Sequence, residues 1–127
     1  MNILDQYVTT LPTEQNAIDL FNGEWTSTVP GNIQSGHAAL FEDGRIHWFL
    51  DQIGNHEGFS ALELGPLEGG HTHILEQSKV KSVVSIEANS RAFIKCLIVK
   101  NTLNFKKAHY LLGDFQTYLA QAPSNSF

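Results

Sequence analysis

The residues able to do chemistry sit where short apolar runs stop. Phe59-Ser-Ala-Leu-Glu63-Leu64 runs into Gly65-Pro66-Leu67-Glu68-Gly69-Gly70. Val83-Val84-Ser85-Ile86 stops at Glu87, 22 positions after Gly65. His109-Tyr110-Leu111-Leu112 stops at Gly113-Asp114-Phe115. A glycine turn lets backbone approach a ligand, and an acid closing the next strand can accept hydrogen bonds from a ribose diol. A nucleoside-bearing cofactor needs this arrangement. A dinucleotide would further require G-x-G-x-x-G, so that its pyrophosphate meets bare backbone. Here Leu67 stands at the middle glycine, and Glu68 is expected near the place of a diphosphate, where like charges repel. No G-x-x-x-x-G-K-[ST] run occurs. Glu63, two residues before Gly65, suits a ligand carrying a cationic amino group.

Positioning these ends takes alternating strands and helices. Strands are predicted at Ser60–Leu64, Ser82–Ile86 and Ala108–Leu112. Helices are predicted at Gly70–Gln77, Asn89–Leu103 and Phe115–Ala122, the last capped by Asp114 and stopped by Pro123. In the long helix Phe93, Leu97 and Val99 or Lys100 are expected to form the inward face. Upstream, Ile46, Phe49, Leu50 and Ile53 recur at i, i+3, i+4 and i+7, one apolar stripe of a helix over about Asp43–Ile53. A short helix over Glu14–Phe21 has Thr13 as its N-cap. Residues 22–36 read as loop, with Trp25 pinning it to the domain. The expected organisation is a loop-rich extension over 1–42, a cofactor-binding half-domain over 43–122 and a frayed tail over 123–127. Strands joined by helical crossovers imply an α/β fold: a Rossmann-like parallel sheet of three strands, order 3-2-1.

Taken together, Glu63-Leu-Gly-Pro-Leu-Glu-Gly-Gly70, Ser85-Ile-Glu-Ala-Asn89 and Leu112-Gly-Asp-Phe115 resemble the first three motifs of class I S-adenosylmethionine-dependent methyltransferases. The resemblance covers about residues 58–116. It implies S-adenosylmethionine as cofactor and methyl transfer to an unidentified acceptor. By resemblance, Gly65, with Pro66 and Leu67, faces the methionine portion, and Glu63 holds its amino group. Glu87 binds the ribose hydroxyls, while Asp114 meets the adenine amino group with Ala88 and Phe115 flanking the ring. The family's sheet has seven strands, and only three are legible here. The first strand therefore becomes an edge, which implies a truncated fold, a second copy covering the open edge, or a non-catalytic remnant that binds the cofactor weakly or not at all. An NAD-dependent half-domain is a third reading that the turn spacing disfavours. No catalytic base is evident.

The remaining residues restrict little. The 127 residues carry a net charge of −5, which gives no general electrostatic case for nucleic acid or an anionic membrane. No apolar run approaches the ~20 residues of a membrane span. Met1–Tyr7 lacks a basic, apolar leader, so a cytoplasmic setting is the default expectation. A lone cysteine, Cys96, makes no internal disulfide and is expected to be a buried apolar group. The six histidines are expected at the surface or at helix ends, with no metal, since His71 and His73 do not share a helical face. The lysine pairs Lys79/Lys81 and Lys106/Lys107 are expected in solvated turns.

Overall fold

A computed structural model describes residues 5–126; residues 1–4 of the expected extension and Phe127 of the expected tail lie outside the described residues. In chain order the elements are α1 (Glu14–Ile18), α2 (Gly44–Ile53), β1 (Ser60–Leu64), α3 (Gly70–Gln77), β2 (Ser82–Glu87), α4 (Ser90–Leu103), β3 (Ala108–Leu112) and α5 (Phe115–Gln121). Local capping chemistry sets most helix starts. Thr13, Asp43, Asn89 and Asp114 each accept a hydrogen bond from a first-turn amide of α1, α2, α4 and α5 respectively. The expected Glu14–Phe21 helix is α-helical only to Ile18 and tightens to a 3-10 turn over Asp19–Phe21.

The sheet is parallel and Rossmann-like, in the order β1-β2-β3. Register places Ala61, Val83 and Ala108 in one row and Glu63, Ser85 and Tyr110 in the next row of the same face. That face meets the core. Val83, Ala108 and Tyr110 join Cys96 and Val99 of α4, and the upstream segment adds Ile18, Phe21, Trp25, Val29 and Phe41. Trp25 is buried and its Nε1 donates to the Ile18 carbonyl at 2.8 Å, so it pins the loop as its isolation in a polar stretch implied. Cys96 is fully buried, and burial pushes its thiol well above the ordinary range.

The opposite sheet face is half open. Leu62 and Val84 are only partly buried, and Leu64 is 42% exposed. None of the β1 residues is buried, and no described strand pairs with its outer side. The α2 stripe is equally uncovered: Leu50 is buried, but Phe49 is 51% and Ile53 40% exposed. No described helix is long and apolar enough to cross a membrane.

The inward face of α4 differs from the sequence expectation. Leu97 is 42% exposed, whereas Ala92, Lys95, Cys96 and Val99 are buried, at i, i+3, i+4 and i+7. A lysine thus occupies the core stripe. Its Nζ lies 3.1 Å from Glu68 Oε2, donates to the Glu24 carbonyl, and stands 5.4 Å from the Trp25 ring centroid. The cation is therefore paired, hydrogen-bonded and set against an aromatic ring, which is what a buried charge requires.

Candidate functional site

The three strand ends come together at the carboxyl edge of the sheet. Gly65 N–H donates to the Ile86 carbonyl and Gly113 N–H to the Glu87 carbonyl, both at 2.9 Å, so the turns after β1 and β3 flank the end of β2. Gly65 sits at φ +68°, a conformation that favours glycine, and a Cβ built there meets nothing within 4 Å. Its open side is the close approach that a ligand needs. Gly70 has a different reason to be glycine. Its Cβ would lie 2.7 Å from the Leu40 carbonyl oxygen, so it admits the upstream segment against the start of α3. Leu67, at the middle-glycine position, adopts φ 57°, a left-handed geometry costly for a side chain. The turn keeps a glycine-type backbone without the glycine.

Glu87 ties this edge together. Its Oε2 accepts from Leu67 N–H at 3.1 Å and its Oε1 from Asn89 N–H at 3.0 Å. The acid that ends β2 thus holds the β1 turn, and each oxygen keeps a free lone pair. Ala88 is exposed beside it. Asp114 is exposed and caps α5, accepting from the Thr117 hydroxyl and amide, whose hydrogen bonds hold its carboxyl below the ordinary range. Phe115 follows, half-buried, and Pro66 is buried within the turn.

Glu63 points into the packed face. Its Oε1 accepts from the Thr72 and Ser85 hydroxyls, while Oε2 is buried without a partner among the described residues. Burial pushes its carboxyl above the ordinary range despite those two hydroxyls. The folded chain therefore holds this proton more tightly than the unfolded chain. Its effect on stability turns unfavourable as pH rises from the ordinary glutamate range through the raised value. Glu63→Gln should accordingly raise the melting temperature at neutral pH by about 3–6 °C, the shift that ~1 kcal/mol gives in a domain of this size. A variant that melts lower than the parent at neutral pH would refute this.

Glu68 is corrected by the structure. It is buried, accepts from the amides of Thr26 and Ser27, and pairs with Lys95. Its charge is spent inside the protein, so it exerts no repulsion at the turn. What remains against a dinucleotide is the Leu67 side chain.

A cavity of about 230 Å³ opens beside the turn, lined by Ser27, Leu40, Gly65, Pro66, Leu67, Glu68, Gly70 and His71. His71 lies in the first turn of α3, half-buried, in keeping with the expectation of a histidine at the surface or at a helix end. Its Nε2 lies 2.8 Å from Asp43 Oδ2, a pairing across 28 residues that no local pattern announces. No group of three His, Cys, Asp or Glu among the described residues could hold a metal. The residues at the strand ends fit a nucleoside cofactor with a cationic tail: Gly65 offers open backbone, Glu87 spare lone pairs, and Glu63 an unpartnered carboxylate oxygen.

Solved structures share this architecture. The chain is similar to the N-terminal domain of EvdMO1 with SAH bound (TM-score 0.67, 17% identity), over 81% of this chain and 45% of that one. It is similar to WbdD in a low-resolution structure (TM-score 0.66, 14% identity), over 88% of this chain and 23% of that one. A medium-resolution structure, of the bifunctional kinase-methyltransferase WbdD, aligns with a TM-score of 0.57 and 16% identity, over 67% and 20% of the two chains. The chain thus spans less than half the length of the solved chains it matches. At these identities the likeness is one of fold. No family model and no curated protein matches the sequence.

Proposed function

We propose that the chain is the S-adenosylmethionine-binding portion of a methyltransferase, acting on an acceptor yet to be identified. One observation carries the reading: Glu87, at the end of β2, reaches the turn after β1, beside a Gly65 whose open side faces no protein atom. A ribose diol on Glu87 and a methionyl tail over Gly65 would bridge the same edge. Glu63 Oε2 would take the ammonium of that tail, and Asp114 and Phe115 the adenine. Two of the similar folds support this reading, one solved with SAH bound and one a kinase-methyltransferase.

The test is calorimetric titration with S-adenosylhomocysteine. Glu87→Ala should weaken binding by about 1–3 kcal/mol, the value of charge-assisted hydrogen bonds, or roughly 5–150-fold. NAD should give no comparable heat. Parental affinity in the variant, or equal affinity for NAD, would overturn the assignment.

The half-open sheet favours a second reading, a module that binds cofactor but turns nothing over alone. The unpaired side of β1, with Leu64 exposed at its end, is the kind of edge that recruits a further strand or a second copy. Light scattering is expected to show self-association, with little methyl transfer by the isolated chain. A monodisperse monomer that turns over briskly would rule this out.

A further inference from the structure

We propose that His71, held by Asp43, is the acceptor-side base of this site, and that the acceptor it serves is a hydroxyl group. This rests on the methyl-transfer reading above and extends it to the second substrate.

His71 lines the cavity whose wall includes the Gly65–Glu68 turn. Its Nε2 is 2.8 Å from Asp43 Oδ2, and its side chain is about one-third exposed, at 36%. Asp43 is a committed anion. The Arg45 side chain and amide beside it hold its carboxyl far below the ordinary range. Arg45 Nη2 lies 2.6 Å from Asp43 Oδ2 and Nε 3.0 Å from Oδ1. An ionised carboxylate only accepts, so Nε2 carries the proton, and the tautomer with a lone pair places that pair on Nδ1. No described residue hydrogen-bonds that nitrogen.

An imidazole with one nitrogen fixed on an anion and the other free is the arrangement of an oriented base. The other charges around it are Arg45 on α2, Glu63 on β1 and Glu68, which also lines the cavity but is engaged by Lys95.

A hydroxyl acceptor needs such a base. As its oxygen attacks the sulfonium methyl carbon, the carbon–sulfur bond breaks and its electron pair stays on sulfur as a thioether. The hydroxyl proton passes to Nδ1, and Asp43 stabilises the imidazolium until the proton leaves to solvent. The alternative role for this pair is a pin between α2 and α3.

The two roles separate without any acceptor in hand. The intact chain is incubated at saturation with an aziridinyl-deoxyadenosine, which carries an electrophilic carbon where the sulfonium methyl would stand. Adducts are located by peptide mass spectrometry. Nδ1 of His71 should open the aziridine ring and carry the adduct, and S-adenosylhomocysteine should suppress the labelling. Asp43→Ser keeps a capping oxygen for α2 but no anion for the imidazole, so labelling should slow by about tenfold or more as the ring loses its orientation. Asp43→Glu should restore most of the rate.

In a protein that binds S-adenosylhomocysteine, an adduct elsewhere, no adduct, or equal labelling in Asp43→Ser would overturn the base assignment. Absence of S-adenosylhomocysteine binding would overturn the cofactor reading beneath it, and this inference with it.

Discussion

Gly65→Val is expected to abolish detectable binding of S-adenosylhomocysteine while leaving a folded protein. The backbone there sits at φ +68°, where a β-branched residue is strained by roughly 1–2 kcal/mol. That cost alone is survivable against a typical total stability of ~5–15 kcal/mol. A side chain at Gly65 meets no protein atom within 4 Å, so the fold itself has room for it. The space it would fill is the space assigned to the methionyl tail. Melting should therefore drop by a few degrees while calorimetric heat disappears. Gly65→Ala, with the same backbone strain and less bulk, should fall between the two. Parental affinity in Gly65→Val would place the ligand elsewhere.

Lys95→Met is expected to be the most destabilising single change, by about 3–5 kcal/mol, because it leaves a buried carboxylate without its cation. Glu68 and Lys95 are 1% and 9% exposed at the side chain, so solvent screens the pair little. Burial alone would raise the Glu68 pKa, but hydrogen bonds from Ser27, Thr26 and Lys95 outweigh it and hold the carboxyl below the ordinary range. The sign follows. This group's contribution is complete above the unfolded glutamate pKa and is lost as pH falls through the depressed one. Urea unfolding should show the Lys95→Met deficit largest near neutral pH and shrinking in acid, where Glu68 takes up a proton. The double variant Lys95→Met/Glu68→Gln should recover part of the loss. A loss under 1 kcal/mol would mean that the pair is not buried in solution.

The strand ends were legible because their signals are local. Apolar runs stopped by Gly or acid mark β1 and β3 to the residue and β2 to within one, since Glu87 itself belongs to the strand. The caps Thr13 and Asp114 were legible for the same reason. Lys95 was missed, although a signal existed: it shares the i, i+3, i+4, i+7 stripe of Ala92, Cys96 and Val99. Leu97 is the more hydrophobic residue, but its position puts it off that stripe and 42% exposed. The Glu68–Lys95 and Asp43–His71 pairs join residues 27 and 28 positions apart. Such pairings depend on how helices dock, which periodicity does not encode. The role of Gly70 was equally hidden, because its reason is the Leu40 backbone lying against it.

The half-open sheet also bears on how tightly any ligand can be held. Strand β2 is bonded on both sides, whereas β1 hangs from a single ladder with no buried residue along it. Amide exchange should then rank the strands, with β1 opening by local fluctuation and β2 only with the whole domain. Glu63 and the entry to the Gly65 turn ride on the strand that opens first. If the proposed cofactor site is right, its competent form would exist only in the fraction of molecules with β1 closed, and apparent affinity would be diluted by that fraction. Whatever settles on the outer side of β1 would tighten cofactor binding without touching the cofactor.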